Sequence, residues 1–87
     1  MRLDTEQGQG YLHNGFITWL SNGESSAIDH FIYWSETQTL TVAYTNGGMY
    51  EYREVPFSLV NTLLFADSVG SFLAKNIKGS HDFRRVA

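Results

Sequence analysis

Lys75, Lys78, His81, Arg84 and Arg85 fall within residues 75–87 and are the side chains best suited to hold an anion. The planar fork of an arginine matches phosphate oxygens, and the stretch after Gly79 is free to wrap a ligand. The same residues also read as a solvated basic end offsetting an acidic body, with Lys75 and Lys78 facing the negative end of a helix dipole. Tyr50 and Tyr52 come next. On an open sheet face two such rings make a stacking platform for a base, whereas under a helix they make core. Tyr33, Trp34 and Trp19 are expected to be exposed at strand ends, where stacking suits them. Asp29-His30 has the residue types for acid–base work, but neighbours on a strand point to opposite faces and cannot cooperate directly. Ser68-x-Gly70 at a helix start either offers N–H groups to an anion or simply caps the helix. His13, His30 and His81 never fall at a metal-ligand spacing, so neither a metal nor a catalytic constellation is expected.

These side chains must be positioned by Thr39 to Pro56, TLTVAYTNGGMYEYREVP, which reads as a β-hairpin running into a helix. A two-residue turn at Asn46-Gly47 would split the apolar residues between two faces. A three-residue loop, Thr45-Asn46-Gly47, with Gly47 left-handed, instead pairs Tyr44 with Gly48, Val42 with Tyr50 and Leu40 with Tyr52. Leu40, Val42, Tyr44, Tyr50 and Tyr52 then share one face, and Thr39, Thr41, Ala43, Glu51 and Arg53 the other. The register therefore favours Tyr50 and Tyr52 as core.

Ala27 to Trp34, rich in β-branched and aromatic residues, suits a preceding strand, and Ser35 to Gln38 a polar turn. Pro56 suits the first position of a helix, in which Phe57, Val60, Leu63 and Leu64 recur at helical spacing. Asp67-Ser68 breaks it and caps a second helix carrying Val69, Phe72, Leu73 and Ile77, with Gly79 as its stop. Residues 1 to 24 are harder to place. Gln7-Gly8-Gln9-Gly10 looks like a flexible start, and Gly15 to Leu20 reads as a short strand or an ordered arm packing on the body or on a second subunit. The expected fold is α+β: a three-stranded antiparallel meander, with room for one further N-terminal strand, and two C-terminal helices packed on one face.

Composition narrows the function. A chain of 87 residues with 43% hydrophobic content is one small domain, and association would help to stabilise it. Without cysteine, disulfides, thiolate metal sites and a cysteine nucleophile are excluded. No run approaches the roughly 18 to 20 apolar residues that span a membrane, and no signal peptide is visible, so a cytoplasmic location is expected. Residues 1–74 carry two basic and eight acidic side chains, residues 75–87 four basic and one acidic. An acidic body with one basic end suits one or two phosphates better than a long nucleic acid.

Several residues, in order and spacing, resemble one family: Ser25-Ser26-Ala27-Ile28, Tyr33, Leu40-x-Val42-x-Tyr44, Gly48-x-Tyr50-x-Tyr52, Val55-Pro56, Ala66-x-Ser68-x-Gly70-x-Phe72 and Ile77-Lys78-Gly79 through Phe83-Arg84-Arg85. They are similar to the KTSC domain, found at the C-terminus of some lysyl-tRNA synthetases and as free-standing small proteins of bacteria and their phages. The likeness covers about residues 25 to 86, giving a KTSC-like domain at 25–87 and an arm at 1–24 outside it. It implies no established chemistry, and RNA binding only through the synthetase linkage. The expected function is a non-catalytic module for a nucleotide or short RNA, without a cofactor, whose concrete form is a homo-oligomer that sequesters a nucleotide signal, in the host cytoplasm if phage-encoded. Its candidate ligand residues are Lys78, His81, Arg84, Arg85, Tyr33, Trp34, Tyr50 and Tyr52. The alternative is a protein-interaction module, an inhibitor or adaptor, built on Trp19, Trp34 and the N-terminal arm.

Overall fold

The computed structural model describes residues 1–23 and 27–87; Ser25 and Ser26, at the start of the expected resemblance, lie outside the described residues. The central hairpin forms as its alternation demands, from β5 (Thr39–Tyr44) and β6 (Met49–Tyr52). Leu40 pairs with Tyr52 and Val42 with Tyr50. The Tyr44 N–H donates to the Gly48 carbonyl at 2.8 Å, and Gly47 takes φ 96°. The three-residue loop and its register are therefore correct.

The sheet is wider than the sequence suggests. β4 (Ile28–Trp34) precedes the hairpin, but before it stand β1 (Arg2–Thr5), β2 (Gly8–His13) and β3 (Phe16–Ser21), and β7 (Phe83–Arg85) follows the helices on the far side of β6. In place of the expected three strands, with room for a fourth, the described residues form seven, all antiparallel and in chain order across one sheet. The stretch from Gln7 to Gly10 is not a loose start. Gly8 and Gly10 are buried in β2. A Cβ on Gly8 would collide with the Leu20 carbonyl and stand 2.7 Å from the Trp19 ring. The glycine is a slot for the indole, whose Nε1 donates to Thr5 Oγ1 at 3.0 Å and whose face stacks on Phe31 at 5.3 Å. Trp19 is consequently buried, not exposed, because a bulky apolar ring inside β3 is the natural extension of the core beyond β4.

Two helices, α1 (Phe57–Leu64) and α2 (Val69–Asn76), cover one face. Their Val60, Leu63, Leu64, Val69 and Leu73 join Leu40, Val42, Tyr52, Phe31, Tyr33, Ile17 and Trp19 in one core. Pro56 is the residue before α1, extended at ψ 152°, instead of its first turn. Ser68 caps α2 by accepting from the Ser71 N–H at 3.3 Å. A second cap comes from far away: the Gln7 side chain accepts from the Val69 N–H at 2.9 Å, tying the β1–β2 turn to the helix start. Val55 is held through both backbone groups, its N–H donating to Gln38 and its carbonyl accepting from the Tyr33 hydroxyl at 2.7 Å. This fixes the angle at which the chain leaves the sheet for α1. No helix among the described residues is long and apolar enough to cross a membrane.

Burial pushes the Tyr33, Tyr44 and Tyr52 hydroxyls above the usual phenol range. The last two also share a 2.7 Å hydrogen bond, which raises Tyr44 further. Above pH about 10 an unfolded chain releases phenolic protons that the folded chain retains, so the folded state binds more protons and stability falls as pH rises. Urea midpoints are expected to be level to about pH 9.5 and to drop steeply above about pH 10. A midpoint unchanged well above that pH would contradict these burials.

Candidate functional site

Alternation sorts the sheet into a helix-covered face and an open one. On the open face, registers align Phe16 of β3 with Trp34 of β4, Trp34 with Thr39 of β5, and His13 of β2 with Phe16. Leu40 pairs with Tyr52, which puts Arg53 beside Thr39 at the end of β6. One row across the sheet thus reads His13, Phe16, Trp34, Thr39, Arg53. Its first three rings form a continuous π surface: His13 lies flat on Phe16 at 4.4 Å, and Phe16 meets Trp34 at 4.8 Å. Trp34 is 45% exposed. At the other end Arg53 and Arg84 flank one carboxylate, Glu51 Oε1, at 3.9 and 3.4 Å. Two guanidiniums share a single negative charge there, and both are more than half exposed.

The sequence-predicted residues divide between the two faces. Trp34 and Arg84 belong to the open face. Tyr33, next to Trp34 on the strand, necessarily points the other way and is fully buried, so it cannot stack on a ligand. Tyr52 is also buried, and Tyr50 half-buried, as the hairpin register implies. Tyr50 instead joins a helix-side rim in which its ring meets Tyr44 and Phe83 edge-on at 5.6 and 5.9 Å. Arg85 lies over the Tyr50 ring at 5.9 Å, and Lys78 over Tyr44 at 5.8 Å. His81 turns its Nδ1 to the Arg53 carbonyl at 3.2 Å.

The expected free basic end is instead an edge strand. Phe83 covers Tyr52, the ladder continues with the Val86 N–H donating to the Met49 carbonyl at 2.8 Å, and Arg84 is held by Glu51. Asp29 and His30 also depart from expectation. A bulge between Ile28 and His30 breaks the alternation, and His30 Nδ1 meets Asp29 Oδ2 at 2.9 Å on the exposed surface. His13, Phe16 and Arg53 escaped the sequence reading as site residues. The signal was present for Arg53, which shares its hairpin face with Glu51, and absent for the other two until β2 and β3 were placed. Among the described residues no three His, Asp or Glu side chains are grouped to hold a metal ion.

Fold and surface define a small α+β meander domain with one face covered by helices and one open, ring-lined face. The chain belongs to the KTSC domain family, whose family model matches residues 24–81. It is 41% identical over 64 residues to a lysine–tRNA ligase of Nostoc punctiforme, a stretch that is 74% of this chain and 11% of the ligase. The chain therefore spans about a tenth of the length of that relative. It is also 41% identical over 64 residues to a protein of Tsukamurella paurometabola, covering 74% of this chain and 92% of that one. A crystal structure of a KTSC domain protein from Yersinia pestis superposes with a TM-score of 0.72 at 26% identity, covering 80% of this chain and 99% of that one. The strands β1 to β3, and with them Trp19 and the His13–Phe16 stack, precede the family-matched segment.

Proposed function

We propose that this chain is a non-catalytic module that receives a nucleotide or a short stretch of RNA on the open face of its sheet. The observation that carries the reading is the row from His13, Phe16 and Trp34 to Arg53, flanked by Arg84. Trp34 and Arg53 are two strands apart, about 10 Å at the usual strand spacing, so a base stacked on the rings places its phosphate toward the guanidiniums. Stacking accepts any base, and the arginine fork selects the phosphate. A formal net charge of −3 argues for a small ligand over a long strand. The synthetase relative carries its matching segment in a protein named for acting on a tRNA, which accords with an RNA-facing role. In a free-standing chain the same face would capture a nucleotide signal without cleaving it.

A thermal-shift and titration panel of mono-, di- and cyclic nucleotides and short oligoribonucleotides tests this. Binding is expected to weaken with salt at a log–log slope of about −1.4, as for two neutralised phosphates on a single strand. No shift with any ligand would contradict it, and a chemically altered nucleotide would overturn its non-catalytic character. The same face also exposes Leu20, at the other end of β3 opposite His30, which favours a second reading, a protein-interaction surface. That surface would bind its protein with little response to salt.

A further inference from the structure

We propose that this chain dimerises through β1, which adds antiparallel to β1 of a second copy and joins the two sheets into one. The backbone leaves β1 open for this. Met1 and Leu12 exchange hydrogen bonds of 3.0 and 2.7 Å, so by antiparallel alternation Leu3 and Thr5 also face β2, while Arg2 and Asp4 direct their N–H and C=O groups away from the sheet. The side chains are self-complementary in a single register. A two-fold axis through Leu3 sets Arg2 opposite Asp4 of the second copy and Asp4 opposite its Arg2, with Leu3 against Leu3 between them. Within one chain Arg2 and Asp4 already pair at 3.3 Å, both exposed, so each carboxylate would sit between two guanidiniums. On the helix side the same register brings Met1 of one copy, 77% exposed, to Thr5 of the other. There an open cavity of about 520 Å³ presents Phe65, itself 52% exposed.

The opposite edge, three residues long, is less suited. Self-pairing of β7 about Arg84 would put Arg84 directly opposite Arg84, and like charges in that position repel. Antiparallel pairing of β7 of one copy with β1 of another would bring open-face side chains level with helix-side ones and throw the two helix layers to opposite sides. Antiparallel pairing of β1 with β1 keeps both the faces and the charges in agreement.

Sedimentation equilibrium and light scattering of the whole chain, from micromolar to millimolar, test the proposal. The expected limit at high concentration is twice the 9.9 kDa of one chain. Asp4→Arg, which sets cations opposite cations, is expected to weaken the dimer at least about tenfold. Adding Arg2→Asp to it restores the complement and should restore the mass. Asp4→Pro, which removes an outward N–H and the exposed carboxylate but no bond to β2, should give a monomer with unchanged near-ultraviolet circular dichroism. A wild-type chain still monomeric at millimolar concentration would overturn the proposal and leave the edge to some other strand. So would an Asp4→Arg chain that dimerises as well as wild type, or a folded double variant that stays monomeric.

Discussion

Trp19→Ala is expected to remove about 3–5 kcal/mol of stability, a large part of the about 5–15 kcal/mol that a domain holds. The residue precedes the family-matched segment, yet its ring is fully buried, stacked on Phe31 and hydrogen-bonded to Thr5. Truncation would leave a large void at the centre of the sheet and remove the indole N–H accepted by the Thr5 hydroxyl, which itself donates to the Gly8 carbonyl across the β1–β2 turn. Gly8→Ala reaches the same place from the other side, because its Cβ meets a backbone carbonyl that cannot step aside and a ring locked by its own hydrogen bond. Urea titration followed by far-ultraviolet circular dichroism measures both. For Trp19→Ala the melting temperature should fall by about 15 °C or more. A loss under about 1 kcal/mol would mean that the N-terminal strands are an appendage to the fold.

Trp34→Ala is expected to do the reverse, sparing the fold and removing the ligand. An exposed ring on the open face contributes little to the core, whereas loss of one stacked base costs about 1–3 kcal/mol, or about 5- to 150-fold in affinity. Reversing the charge of Arg53 and Arg84 together should abolish binding, since Glu51 would then face two further carboxylates where a phosphate is to sit. Reversal of Lys78 and Arg85, on the helix-side rim, should leave affinity within about threefold. Equal losses from the two double reversals would show that the phosphate is held by overall charge and not by the open face.

The hairpin was legible because its information is local. Alternating Leu40, Val42, Tyr44 and Tyr50, Tyr52 admit one register that unites them, and Gly47 supplies the left-handed residue that register requires. The helices were legible for the same reason, down to the Ser68 cap. The opposite placement of Tyr33 and Trp34 was also available, since adjacent strand residues cannot both be exposed on one face.

The first three strands were hidden because their signature is an absence. Gly8 and Gly10 resemble a loose leader until Trp19 is seen to occupy the space where a Gly8 side chain would stand and Leu64 to pack against Gly10. A bulge such as that at Asp29 leaves no mark on residue type, and the docking of Phe83 over Tyr52 depends on a long connection through two helices. The row of rings shares this origin. His13 and Phe16 become neighbours of Trp34 only once β2 and β3 join the sheet, so the surface that best fits a ligand is assembled across both sides of the family boundary.

Backbone and side-chain NMR shifts of the labelled chain, followed while a nucleotide or short oligoribonucleotide is titrated in, would locate the ligand directly. The changes should cluster on His13, Phe16, the Trp34 indole, Thr39, Arg53 and Arg84, with Tyr44, Lys78 and Arg85 nearly still. Changes centred on Lys78, Phe83 and Arg85, or a spectrum that no nucleotide moves, would contradict an open sheet face that binds by stacking and phosphate capture.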